Sequence, residues 1–277
     1  SSSLRSLETR WIAMIQTVPA YAAPQNEEVR RLVEHGIPSS IRYRVWEYLV
    51  NSKAALVESW YDKHLRIEQT RSSSSLNLED DVAIFARNHQ QIRPESLLNI
   101  LRVYLSMVPE PQYSPNLVSI AGFTLLQCPS ANHAEEEHVF WLFVTLMSRQ
   151  RFFYFSDEAT ALVSETFELY HADLTQTLFE EYGILPAEIC QPWLTSLFVD
   201  ILPAEHALRV WDLFLLNGDF TILSRTAQAI LAGCKRALLN ADSVEVVRAI
   251  LLKPPATLLP TYPEHFIDLL SDLHPGH

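Results

Sequence analysis

Glycine is scarce, with 6 residues in 277. Doubly wound α/β folds and all-β folds both rely on glycine-bearing turns, so this shortage argues against them. Leu, Ala and Glu are abundant instead, and strong helix formers at this density predict an all-α fold. Cysteine is nearly absent too. Cys128, Cys190 and Cys234 are far apart and odd in number, which excludes a disulfide framework and reads them as small buried hydrophobes. Positive charge is in deficit, 21 Lys and Arg against 33 Asp and Glu, for a formal net charge of −12. Nucleic-acid phosphate needs clustered cations, so no nucleic-acid partner is expected. No apolar run approaches the roughly 20 residues of a membrane span. The first residues, SSSLRSLETRW, also lack the apolar core of a signal peptide. A cytoplasmic protein with no integral membrane segment is the expectation.

Chemical motifs are missing as well. There is no GxxxxGK[ST] phosphate loop, no GxGxxG and no GxSxG, so nucleotide binding in cis and the commonest hydrolase site are not expected. His133 and His138 flank three glutamates, but five-residue spacing does not put two histidines on one helical face. Neither a metal nor a cofactor is expected. Asp80 and Asp81 are neighbours whose side chains diverge by about 100° on a helix, so they read as complements to a helix start rather than an acid/base pair.

What is present is helical periodicity punctuated by proline. Apolar positions predict helices over 4–18, 27–35 (Asn26 as cap, Gly36 as stop), a segment opened by Pro38 and Ser39 or Ser40, and 54–68. TRSSSSLN at 70–77 is a polar breaker, with Ser72–Ser75 open to phosphorylation or simply a loop. A short helix over 78–87 follows, with Asn77 as its cap. Further helices are predicted over 135–148, 162–181, 220–240, 242–251 and 264–273, with Pro186, Pro192 and Pro203 each opening one.

The organising stretch is PEPQYSPNLVSIAGFTLL, 109–126. Three prolines interrupt two amphipathic helices there. Ser114 is the expected N-cap and Pro115 the first helical residue, so Gln112, Tyr113 and Ser114 stand at a helix mouth.

Three fragments in order resemble the TBC domain, the all-helical module of Rab GTPase-activating proteins. GIPSSIRYRVWEYLV (36–50) is similar to the family's GIP-x-x-x-R-x-x-x-W, which places Arg42 and Trp46. YSPNLVSIAG (113–122) is similar to its Tyr-x-Gln-Gly-Met-Asn-x-Ile-x-Gly. WLTSLFVDILPAEHALRVWDLFLLNG (193–218) is similar to its W-x-x-x-x-F…LP…R-x-W-D, which places Trp193, Arg209, Trp211, Asp212 and Gly218. The resemblance implies a TBC-like multi-helix domain of two helical lobes over 29–251 (about 29–130 and 131–251). An N-terminal helix within 1–28 packs on it, and a proline-rich segment with a short helix follows at 252–277.

Members of the family act in trans with an Arg finger from I-x-x-D-x-x-R and a Gln finger from Y-x-Q, one offsetting phosphoryl charge and the other orienting water. Here Leu78-x-x-Asp81-x-x-Ile84 puts Ile84 at the Arg position, and Tyr113-Ser114-Pro115 puts Pro115 at the Gln position. Neither side chain offers the needed charge or amide. The resemblance therefore implies a pseudo-GAP: a scaffold or regulatory module for a small Rab-type GTPase or a larger complex, rather than an enzyme. Asp81, Tyr113, Ser114 and Asn116 are its GTPase-facing candidates. Two other readings remain open. Arg87, one turn after Ile84, and Gln112 could serve as displaced fingers of an active GTPase activator. Alternatively, the chain is a subunit like the TBC member of the tuberous sclerosis complex, which binds a coiled coil. The internal tryptophans, and Arg42, Arg209 and Asp212, read as framework. Membrane trafficking, with a peripheral place on endomembranes through a partner, is the setting the family implies.

Overall fold

The computed structural model describes residues 2–71, 76–108, 113–128, 133–155, 161, 165, 167 and 172–272. These are all-α, with no strand among the described residues. In chain order the helices are α1 (Ser2–Thr17), α2 (Glu27–His35), α3 (Arg42–Val50), α4 (Trp60–Thr70), α5 (Leu76–Asn88), α6 (Pro94–Met107), α7 (Pro115–Leu126) and α8 (His133–Phe155). They continue as α9 (Pro186–Thr195), α10 (Ala204–Asn217), α11 (Thr221–Leu239), α12 (Val244–Leu252) and α13 (Pro263–Asp272). The chain divides into two compact units, Ser1–Arg151 and Phe152–His277.

Local chemistry explains several boundaries. Asn26 accepts the Val29 N–H at 3.0 Å and starts α2; Gly36 ends it, its N–H returning to Leu32 and Val33 carbonyls. Ser243 caps α12 by accepting from Val246 N–H at 3.3 Å. Gly218 closes α10 with φ +68°, a left-handed turn that favours glycine, and its N–H reaches the Phe214 carbonyl at 2.8 Å.

Other boundaries correct the sequence reading. Residues 38–41 first close a turn, Ile41 N–H to Pro38 O at 3.1 Å, so α3 begins at Arg42 and not at Pro38. The helix expected over 54–68 is two pieces, a 3₁₀ turn at Ser52–Ala55 and then α4, because Ser59 takes a left-handed φ of +62°. Asn77 lies inside α5, where a cap's extended backbone is not available. Pro192 also lies inside its helix rather than opening one. It sits near the end of α9, where hydroxyls of Thr195 and Ser196 satisfy the Gln191 and Pro192 carbonyls. Of the helix expected over 162–181, 162–164, 166 and 168–171 fall outside the described residues; Ala172–Thr175 is α-helical and Gln176–Glu181 is π-helical. The loop of Ser72–Ser75 also lies outside the described residues.

In the first unit α7 is apolar nearly all round. Leu117, Val118, Ile120, Ala121, Phe123 and Leu125 are buried, and the hydroxyl of buried Thr124 donates to the Ile120 carbonyl at 2.9 Å. A helix apolar on every side is a core helix, and α5 and α6 both pack on this one. In the second unit α10 has that role, with α11 and α13 against it. Phe266, Ile267 and Leu270 of α13 are buried there, so this late helix contributes to the core.

Candidate functional site

The candidate surface is carried by α5 and the N-terminus of α7, both in the first unit. Helix α5 turns Leu78, Val82 and Ala86 inward, the i, i+4, i+8 set of one helical stripe. Its outer flank is tied to α6 by Arg102 Nη2, which donates to Glu79 Oε1 at 2.5 Å. Where α5 meets α7 the spacing is very close. A Cβ built on Gly122 would stand 2.3 Å from Phe85 Cε1, so only glycine lets the ring lie there. Phe85 in turn stacks on His89, centroids 4.2 Å apart.

At the start of α7, Ser114 has extended backbone, and its side chain accepts from the Asn116 N–H at 3.4 Å. Pro115 occupies the first helical position, exposed, where its missing N–H leaves nothing unpaired. Tyr113 Oη donates to Asp81 Oδ2 in a short hydrogen bond, joining the α7 mouth to α5. Burial first, then that hydrogen bond to Asp81, holds the Tyr113 phenol well above its ordinary range. It therefore remains a donor at physiological pH. Three residues after Asp81, Ile84 is 49% exposed. Arg87, a turn further along, is exposed and has no ion pair among the described residues. Gln112 lies outside the described residues.

The surface thus brings Asp81 and Tyr113 into contact, with Ser114 and Asn116 in the adjoining cap. At positions 84 and 115 it presents an aliphatic side chain and a pyrrolidine ring. Neither can offset charge on a phosphoryl group or orient a water molecule. No group of three or more His, Cys, Asp or Glu among the described residues is placed to hold a metal ion.

The remaining motif residues are framework. Arg42 and Trp46 are buried on α3, with Trp46 6.4 Å from Phe123 between ring centroids. In the second unit Trp193 Nε1 donates to Leu251 O at 2.9 Å and Trp211 Nε1 to Leu197 O at 3.0 Å. Buried Arg209 and Asp212 stand one turn apart on α10, Nη1 to Oδ2 3.7 Å. The indole N–H groups are satisfied at cost-free positions, since each takes a carbonyl outside a helical ladder's reach. Sequence reasoning missed the Phe85–Gly122 approach and the Glu79–Arg102 pair. The glycine itself was visible within YSPNLVSIAG and was the one available signal for the first.

The all-helical fold is shared with solved TBC domains. It superimposes on the TBC domain of a Chlamydomonas flagellar RabGAP with a TM-score of 0.72, at 20% identity, over 97% of this chain and 93% of that one. The Ypt/Rab-GAP domain of Gyp1p gives 0.73 at 15% identity, over 97% and 96%. At such identities the likeness concerns the fold.

The family follows from the sequence itself. The Rab-GTPase-TBC domain matches residues 39–239, and the chain belongs to that family. Human growth hormone-regulated TBC protein 1 is 29% identical over 258 residues, 88% of this chain and 75% of its own length. Mouse TBC1 domain family member 10B is 26% identical over 240 residues, 82% of this chain but 29% of its own length. Membership makes the chain a Rab-GAP-like domain concerned with Rab GTPase regulation, with a Rab-type GTPase as its class of partner. No described helix is long and apolar enough to cross a membrane.

Proposed function

We propose that this domain binds a Rab-type GTPase as a regulatory or scaffold module without accelerating GTP hydrolysis. The observation that carries the reading is Ile84: it is half exposed on α5, one turn past the Asp81–Tyr113 contact, at the position that matches the family's arginine. Asp81, Tyr113, Ser114 and Asn116 are the residues assigned to face the GTPase. Pro115 supplies no amide for the second finger. The domain works in the cytoplasm and reaches endomembranes through its partner.

A second reading, an active GTPase activator using Arg87 and Gln112, is favoured by one observation: Arg87 is exposed and has no ion pair among the described residues. Single-turnover GTP hydrolysis across a Rab panel separates the two. Wild type is run beside Arg87→Ala and the double change Ile84→Arg with Pro115→Gln. The pseudo-GAP reading expects an inert wild type and a gain in the double variant, since an arginine finger is worth about 10³–10⁵ in rate. Wild-type acceleration of about 10²-fold or more that Arg87→Ala abolishes would establish the second reading instead. If neither protein is active and neither binds a Rab, the partner is of another kind, such as a coiled coil.

A further inference from the structure

The first unit holds a small cavity of about 130 Å³ that GTPase binding through α5 and α7 does not use. The local sequence builds it. Arg44 and Glu47, which both line it, are three residues apart on α3 and so share a face. Asn51 ends α3 in a left-handed conformation, φ +55°, and the chain then makes the 3₁₀ turn Ser52–Ala55, which brings Lys53 to the same cavity. Ile15, Ala20 and Tyr48 supply the apolar part of the lining. The Tyr48 hydroxyl is already engaged, donating to the Val18 carbonyl at 2.8 Å.

The charges of this lining are not satisfied within the chain. Glu47 is 6% exposed, and its Oε2 accepts no hydrogen bond among the described residues; His138 Nδ1 lies 3.4 Å away without the geometry for one. A buried carboxylate short of donors is costly, so this one calls for a partner. Arg44 and Lys53 are exposed and act on Glu47 only through the field of their charges. Neither forms an ion pair among the described residues. One acid and two cations make the lining positive in a chain of net charge −12.

We propose that this cavity binds a short-chain amino acid as its zwitterion, with the carboxylate held by Arg44 and Lys53, the ammonium by Glu47, and the side chain against Ile15 and Ala20. Each half of such a ligand answers one half of the lining, through charge-assisted hydrogen bonds. A simple anion would satisfy the cations and leave the Glu47 carboxyl without a donor. A simple cation would satisfy Glu47 but meet two like charges beside it. Size sets the limit. A cavity of about 150 Å³ accepts benzene, so one of about 130 Å³ suits a molecule of about six non-hydrogen atoms. Alanine is of that size.

The test is titration of the full chain with L-alanine, followed by the chemical shifts of the protein in NMR. Two controls each carry half of the ligand: propionate lacks the ammonium and ethylamine lacks the carboxylate. L-Alanine is expected to saturate the site with a Kd of about 1 mM or tighter. Both controls should bind at least about 10-fold more weakly. Glu47→Gln keeps the shape of the side chain without its charge and should weaken L-alanine by about 10-fold or more. Lys53→Gln, at an exposed position, should weaken it as well, and far-UV circular dichroism verifies that both variants are folded. Absence of saturation up to about 20 mM L-alanine overturns the proposal. So does propionate or ethylamine binding as tightly as L-alanine, or an affinity for L-alanine that Glu47→Gln leaves untouched.

Discussion

Replacing Gly122 by alanine should destabilise the first unit even though alanine is the better helix former. The new Cβ would lie 2.3 Å from Phe85 Cε1 and 2.4 Å from Cζ, against an ordinary carbon–carbon contact of about 3.5–4.0 Å. Helix propensity alone favours the change by about 1 kcal/mol. Opposing it, the overlap is relieved only by swinging the ring off His89 or by parting α5 from α7. Overpacking of that kind costs about 1–3 kcal/mol, and the lost ring stack adds about 0.5–1.5 kcal/mol. The balance is a net loss of about 1–3 kcal/mol, read as a fall in Tm of about 2–4 °C per kcal/mol for a domain of this size. Thermal melts followed by circular dichroism measure it. Repeating Gly122→Ala in a Phe85→Ala background, which removes Cδ1, Cε1 and Cζ, should make the change neutral or stabilising. The reasoning fails if Gly122→Ala raises Tm on its own, or if both backgrounds give the same shift, since neighbours in contact must couple.

Glu47 offers a pH prediction. Its carboxyl is buried, and burial raises its pKa against the smaller opposing effects of Lys53, His138, Tyr43 and Arg44; Oε2 lies 3.4 Å from His138 Nδ1, an ion-pair distance without hydrogen-bond geometry. A carboxyl whose folded pKa is raised holds its stabilising proton at low pH and loses that contribution as pH rises through the folded value. Glu47→Gln should therefore gain stability over wild type as pH rises from the ordinary carboxylate range, with the difference levelling off above the folded pKa; urea unfolding across pH measures it, and a difference that shrinks with pH refutes it. Trp211→Phe leaves the Leu197 carbonyl without its indole donor and should cost about 1–3 kcal/mol in chemical denaturation. The loss should exceed that of an exposed aromatic change such as Tyr21→Phe. Tyr113→Phe removes the donor to Asp81 and should lower stability by about 0.5–1.5 kcal/mol. Under the proposed function it should also weaken Rab binding in titration calorimetry.

How much of this was legible beforehand depended on the range of the interaction. Asn26, Gly36 and the Ser114–Pro115 pair act within one helical turn, so their roles were readable from spacing alone. The helix after Ser114–Pro115 was readable as a helix, but as an amphipathic one; α7 is instead buried on nearly every side, because α5 and α6 both pack on it. Left-handed Ser59, which divides the expected 54–68 helix, carries no compositional mark, because serine is as common in helices' flanks as inside turns. Pro192 misled for the opposite reason: a strong local rule marked it as a helix start, but Pro186 already opens the helix that carries it, and Pro192 lies within that helix's last turn. At the candidate site, Asp81 and Tyr113 were each visible as single residues, but their contact joins positions 32 apart and exists only once α5 docks on α7. Tertiary docking is what a periodicity cannot express.

The burial of α13 has a practical consequence. The stretch recognisable by family resemblance, 39–239, is shorter than the unit that folds. Trp11, before that stretch, and Phe266, after it, are both fully enclosed, and the His206 imidazole on α10 meets the Pro260 carbonyl at 2.7 Å. Gly233 on α11 even makes room for the Leu258 carbonyl, 2.7 Å from where a Cβ would be. A fragment trimmed to the recognisable stretch would bare these seats and aggregate.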